Sequence, residues 1–256
     1  MSPDYYFSSK HVRSISLLDK LPLRQSCASV IYCSHFSEHI PHLKLIDFLN
    51  ECFRTLNPGP TVRLFTPDLE EMCSEYLAQR SAGHDEKADL VTLCILDQCV
   101  RQDSGGLLGR FFSEMPQKSP CLVDYVFFCT GYRDESVNCN NNRQMISRVM
   151  NALSNPSKAV SWFLPKYCNA LSYLFPKAFR QQNISFSAVG VRHQWLYDYS
   201  SLSRLLLEIG FLDVKREYFN SSRIPNFPFY PLDMTEDGFP RKGKESMFVE
   251  ASKPAK

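Results

Sequence analysis

Residues 30–69, VIYCSHFSEHIPHLKLIDFLNECFRTLNPGPTVRLFTPDL, decide the fold class of this chain. The apolar, β-branched opening at residues 30–33 predicts a buried strand, and a short polar turn follows it. Ile46, Leu49, Phe53 and Leu56 then fall at steps of three and four, which lines one face of a helix for burial against a sheet. Asn57, Pro58 and Gly59 stop that helix, residues 61–66 read as a second strand, and Pro67-Asp68 opens another helix with proline near its first turn. Strand, helix, strand, helix with tight connections predicts an α/β fold with parallel strands. Ligands of open α/β sheets bind outside the carboxyl ends of the strands, so Ser34, His35, Glu38 and His39 are the first candidate binding residues.

Working outward, 256 residues suffice for one substantial core, and the expected organisation is a single domain with an insertion over residues 82–194. A formal charge of +2 gives no basis for a nucleic-acid partner. The ten cysteines contain no CxxC pair and no dense secreted framework, which suits a reducing compartment and a cytoplasmic location. No run reaches the roughly 18–20 apolar residues of a membrane span, and MSPDYYFSSK at the start lacks the apolar core of a signal peptide.

A second informative block lies near the end. Asp198, Ser200 and Ser201 offer N-caps to a helix whose Leu202, Leu205, Leu206 and Ile209 form an apolar stripe, with Gly210 as its stop. A strand over residues 211–218 follows, then a loop rich in proline and aromatics, long enough to cover a site, and a last strand over residues 246–252 that is free to return antiparallel. Between the blocks, residues 88–100 and 143–153 read as helices and residues 138–142 as an exposed loop. Residues 121–129 fit a strand or a buried helix. The aromatic tract 161–179 reads as a packed irregular insertion in preference to a membrane-surface element.

His35, Glu38 and His39 also match HxxEH, the inverzincin spacing in which two histidines one helical turn apart bind zinc and the glutamate activates water. That motif needs a sustained helix. Here a strand precedes it and Pro41 follows two residues after His39, so no metal is assigned and a zinc hydrolase is the most distant reading.

The segments VIYCSHFSEHI and LNECFRTLNPGPTVRLFTPDL resemble the VIYSSHVLEHL and LKECYRVLKPGGxLRLxxPDL segments of class I S-adenosylmethionine-dependent methyltransferases. Residues 193–198, HQWLYD, and the following SLSRLLLEIGFLDV are similar to the HxWMYDxxSLxxLLxxxGFxxV pattern of one type 11-like subgroup. Asp97-Gln98, Val100-Arg101 and Ser104-Gly105-Gly106 resemble its DQxVRxxSGG element, and residues 222–225 and the closing SMFVEASKP are similar to it too.

That resemblance implies a Rossmann-like methyltransferase sheet with a largely helical insertion, S-adenosylmethionine as cofactor and a small-molecule or glycan-type acceptor. It puts Leu17, Ser34 and His35 around the cofactor, with Glu38 and His39 supporting that turn. By residue chemistry, His193 is the candidate general base or acceptor contact, with a structural hydrogen-bonding role as the alternative. On the acceptor side, Trp195 and Tyr197 read as core or pocket wall, Asp97 and Arg101 as a surface ion pair or as residues pointing into the acceptor pocket, and Arg223 as a clamp for an anionic group or a solvated loop arginine. The chain departs from the family in one region. The family holds its cofactor through a glycine-rich loop after the first strand and an acid after the second, whereas here the first glycine is Gly59, and Ser16 and Ser29 stand where acids are usual. The expectation is therefore a sheet incomplete at its N-terminal side, as in a truncated enzyme, with an exposed edge. The alternative is a non-catalytic remnant that binds a protein partner along that edge.

Overall fold

The computed structural model describes residues 20–102, 105–114, 120–131, 192–227, 232–235 and 237–255, together with 167, 171–177 and 179. Leu17, the expected helix 143–153, the loop 138–142 and most of the tract 161–179 lie outside the described residues.

Four strands make one mixed sheet among these residues. β1 (Ile31–Ser34) and β2 (Thr61–Pro67) are parallel, with Ile31 opposite Val62 and Ser34 opposite Phe65. β3 (Leu212–Glu217) and β4 (Ser246–Ser252) are antiparallel, as the sequence allowed, but β4 does not lie at the edge. It pairs antiparallel with β2 from Thr61–Ser252 to Pro67–Ser246, giving the order β1-β2-β4-β3. β1 has no second partner among the described strands.

β2 is buried along its whole length, and its alternate residues serve two different environments. Val62 and Leu64 join Met247, Val249 and Ala251 of β4 in an apolar core. That core is covered by α1 (His42–Thr55) and α7 (Tyr199–Ile209). The buried line of α1 runs through Leu45, Phe48, Leu49 and Cys52 to Leu56, one position away from the expected stripe. Ile46 and Phe53 flank it, Phe53 being turned onto Phe211 at 5.0 Å in an edge-to-face contact. α7 begins with a capping box in which Asp198 accepts from the Ser201 amide at 2.7 Å and Ser201 Oγ accepts from the Asp198 amide. It ends at Gly210 with φ of 107°, a left-handed conformation that glycine adopts without a Cβ penalty.

After β2, Asp68 caps α2 (Leu69–Ser81) by accepting from the amides of Glu70 and Glu71. Pro67 is thus the last strand residue and not part of the helix's first turn, because the aspartate is the better cap. The helix expected at 88–100 is present in three pieces: α3 (Asp85–Thr92), a π turn (Leu93–Asp97) and the short α4 (Gln98–Val100). The run at 121–129 resolves as helix within α6 (Pro120–Thr130), and α5 (Gly106–Glu114) precedes it. These helices share a second core of Met72, Leu90, Val91, Cys94, Leu108, Leu122, Tyr125, Val126 and Cys129. No helix among the described residues is long and apolar enough to cross a membrane.

The other face of the sheet carries charge. Arg63, fully buried on β2, donates Nε to Asp233 at 2.9 Å and Nη1 to Glu250 at 2.7 Å, and its remaining protons reach the carbonyls of Ser221 and Tyr218. The rings of Phe227 and Phe248 lie 4.6 and 4.9 Å from the guanidinium carbon. Tyr32 of β1 donates to the other oxygen of Asp233 at 2.6 Å. The proline- and aromatic-rich loop is therefore fastened to β1, β2 and β4 by one ion network. Replacing one partner of such a buried group leaves a desolvated charge, so Arg63→Ala is expected to destabilise the fold by about 3–5 kcal/mol. Urea unfolding followed by far-ultraviolet circular dichroism measures this.

Candidate functional site

The polar turn after β1 starts with an unusual backbone. His35 has φ of 46°, and its amide bonds the Phe65 carbonyl at 2.7 Å, extending the β1–β2 pairing by one residue while the chain turns over the sheet's end. A left-handed conformation is uncommon for a residue with a Cβ, though histidine is among those that adopt it. A single 3-10 turn (Ser37–His39) follows, and it is too short to be the zinc-binding helix of the HxxEH motif. Ser34 is exposed at the strand's end, and the His35 ring stands edge-on to Phe65 at 4.6 Å.

Glu38 is the centre of the site. It is 0% exposed, and its carboxylate lies 3.0 Å from His35 Nδ1 and accepts from Thr66 Oγ1 at 3.2 Å. Its backbone carbonyl accepts from the amides of Gln194 at 2.6 Å and Trp195 at 3.3 Å. Burial alone would raise the pKa of this carboxyl, but the hydrogen bond from His35 and the neighbouring imidazoles outweigh it, and the net shift is downward. Glu38 is accordingly a buried carboxylate anion.

His193 is held beside it. Its amide bonds the Gln98 carbonyl at 2.9 Å, its ring meets that of His39 edge-to-face at 4.8 Å, and it is 5% exposed. Burial pushes its pKa down to about 4, against the opposing charge of Glu38. Burial lowers the pKa of His39 too, and its Nδ1 lies 3.2 Å from the Arg192 carbonyl. Among the described residues, Nδ1 of His193 and Nε2 of His35 are buried without a hydrogen-bond partner.

The remaining candidates occupy three places. Trp195, 48% exposed, packs its ring against His42 at 4.6 Å, and Tyr197 is buried with its hydroxyl 3.1 Å from His42 Nδ1. Asp97 accepts from the amides of Leu107 at 2.9 Å and Leu108 at 3.1 Å, so its carboxylate caps α5. With Arg101 it lines an open cavity of about 610 Å³, one residue from the Gln98 carbonyl that holds His193. Arg223 sits apart from the histidines, on the Arg63 side of the sheet, with Nε 3.4 Å from Glu250 and 3.8 Å from Glu217.

Sequence reasoning did not single out His42 or Thr66, which complete the polar lining. The three histidines at positions 35, 39 and 42 were a usable signal, since their spacing returns to one side of a turn. Nor did it find a second cavity of about 550 Å³, lined by Phe128, Tyr218, Phe219, Phe239, Met247 and Phe248. Beside the second core, the half-buried Glu245 has its pKa raised to about 7 by burial.

No protein-family model matches the chain, and no curated protein matches it. Among solved structures it is similar to a SAM dependent methyltransferase from Archaeoglobus fulgidus, with 10% identity and a TM-score of 0.35, over 94% of this chain. The chain spans 66% of the length of that protein. A likeness of this degree assigns neither fold nor function.

The titration of the site has a definite sign. His193 has a folded-state pKa near 4 and an unfolded one of about 6.5, so the unfolded chain binds the extra proton and folding loses about 3 kcal/mol as pH falls through that window. Glu245, raised in the folded state, acts in the opposite sense, adding stability at low pH that is lost as pH rises towards 7. His193→Gln is expected to reduce the loss of stability between about pH 7.5 and pH 4.5, and Glu245→Gln to increase it, in urea midpoints of native and variant protein.

Proposed function

We propose that the chain is a class I methyltransferase-like protein that binds S-adenosylmethionine at the carboxyl end of β1 and acts on a small-molecule or glycan-type acceptor. One observation carries this reading. The two segments with the most specific methyltransferase resemblance, VIYCSHFSEHI and HQWLYD, are about 155 residues apart in the chain yet joined by the two hydrogen bonds to the Glu38 carbonyl. Their junction lies at a strand's carboxyl end, where α/β sheets bind their ligands.

In this reading Ser34 and His35 face the cofactor, and Glu38 and His39 hold the turn that presents them. Asp97, through its cap on α5, positions the wall that carries Arg101. His193, neutral at pH 7, serves as a contact for the acceptor more readily than as a base, since a group of pKa about 4 is a poor proton acceptor at that pH. The cofactor's contribution, when bound, is an activated methyl group on sulfur.

The residues present supply one wall for that cofactor and not the whole cradle. No glycine lies among residues 1–58 to allow close backbone approach, and β1 has no second strand partner among the described residues. The expected affinity is therefore weak, roughly millimolar. That β1 has no second partner among the described strands favours a second reading, a non-catalytic protein that pairs a partner's strand along β1. Thermal-shift titration separates the two. A concentration-dependent rise in Tm with S-adenosylmethionine or its demethylated product, weakened in His35→Ala, is expected for the first. No rise at millimolar ligand overturns it and leaves the second.

A further inference from the structure

We propose that Glu38, His39 and His193 form a binding site for a divalent transition-metal cation of the zinc class, with two imidazole nitrogens and one carboxylate oxygen as ligands. Each of the three offers one ligand atom, and these atoms lie within 4.8 Å of one another. A tetrahedral zinc ion with bonds of about 2.0–2.2 Å needs its ligands roughly 3.5 Å apart, so closing onto a metal asks for side-chain movements of about 1 Å.

Hydrogen bonding orients the ligands. A carbonyl only accepts, so the bond between His39 Nδ1 and the Arg192 carbonyl places the His39 proton on Nδ1 and leaves a lone pair on Nε2. That Nε2 lies 4.0 Å from Glu38 Oε1, with the two acceptors side by side and no proton required between them. An imidazole whose far nitrogen donates to a backbone carbonyl while its near nitrogen presents a lone pair is the usual second-shell arrangement of a metal-ligating histidine. His193 contributes an independent sign. It is 5% exposed, and its Nδ1 is buried without a hydrogen-bond partner among the described residues, a cost that a bound cation removes. Glu38 brings the negative charge, and Thr66 and His35 hold its carboxylate in place.

This site differs from the HxxEH reading in both membership and roles. His35 is not a ligand but a hydrogen-bond partner of Glu38, Glu38 coordinates the metal directly, and the third ligand comes from a segment about 155 residues later. Two histidines and one glutamate match the protein ligand set of the His2Glu class of catalytic zinc sites. The proposal rests on the proximity of these three side chains and not on the cofactor reading.

Titration with zinc alone and with cobalt alone, followed by calorimetry and visible absorption, tests the proposal. One equivalent is expected to bind to the native chain, with a cobalt spectrum of nitrogen and oxygen ligation. His193→Ala is expected to lower the affinity on the order of 100-fold or more, beyond the range typical of second-shell losses. His193→Asp, which restores a ligand, is expected to recover part of it, and circular dichroism confirms that each variant is folded. A thiolate charge-transfer band, which would place the metal on cysteines, overturns the proposal. So does native uptake no greater than that of His193→Ala, and if that variant does not fold, the cobalt spectrum of the native chain decides alone.

Discussion

The buried carboxylate of Glu38 is the constraint around which the site is assembled. A charge taken wholly out of water is tolerated only when hydrogen bonds and opposite or polar partners replace its hydration. Here the carboxylate's partners come from separate parts of the chain, Thr66 in β2 and His35 at the strand end, while the backbone carbonyl of the same residue accepts from Gln194 and Trp195. Satisfying one residue therefore joins the sheet, the turn and the segment leading into α7. The same desolvation that Glu38 withstands keeps His193 and His39 neutral.

The opposite face of the sheet solves a similar problem with another ion. Arg63 reads in the sequence as a polar residue alternating with Val62 and Leu64, the pattern of a strand with one wet face. In the folded chain it is as buried as its neighbours, because the loop that follows β3 brings Asp233, the Phe227 ring and two carbonyls over it. β2, an inner strand of the sheet, thus packs an apolar core on one side and the ion network on the other.

The contrast between these features shows what was legible in the sequence. β1, β2, α1 and α7 were, since apolar spacing, the Asp198 cap and the Gly210 stop are local signals. The capping role of Asp68 and the π turn were not, the first because proline competed for the same boundary and the second because a one-residue widening leaves no compositional trace. The place of β4 between β2 and β3 and the contact of His193 with His39 are set by pairing over long stretches of chain, which periodicity does not encode. Of the candidate residues, Ser34, His35, Glu38, His39 and His193 gather at one strand end, while Arg223 belongs with Glu250 and Glu217.

The π turn at Leu93–Asp97 has a bearing on how the helical part of this protein tolerates change. A π turn holds one residue more than the α-helix around it, so loss of a single residue there restores a regular helix without breaking it. The helix would nonetheless be rephased by ~100°, the angle of one residue. Either Leu90 and Val91 would leave their core, or the Asp97 carboxylate would leave the amides of α5. The extra residue works as a vernier between two packing registers, and an otherwise innocuous deletion at this point becomes a choice between the helical core and the wall of the large cavity.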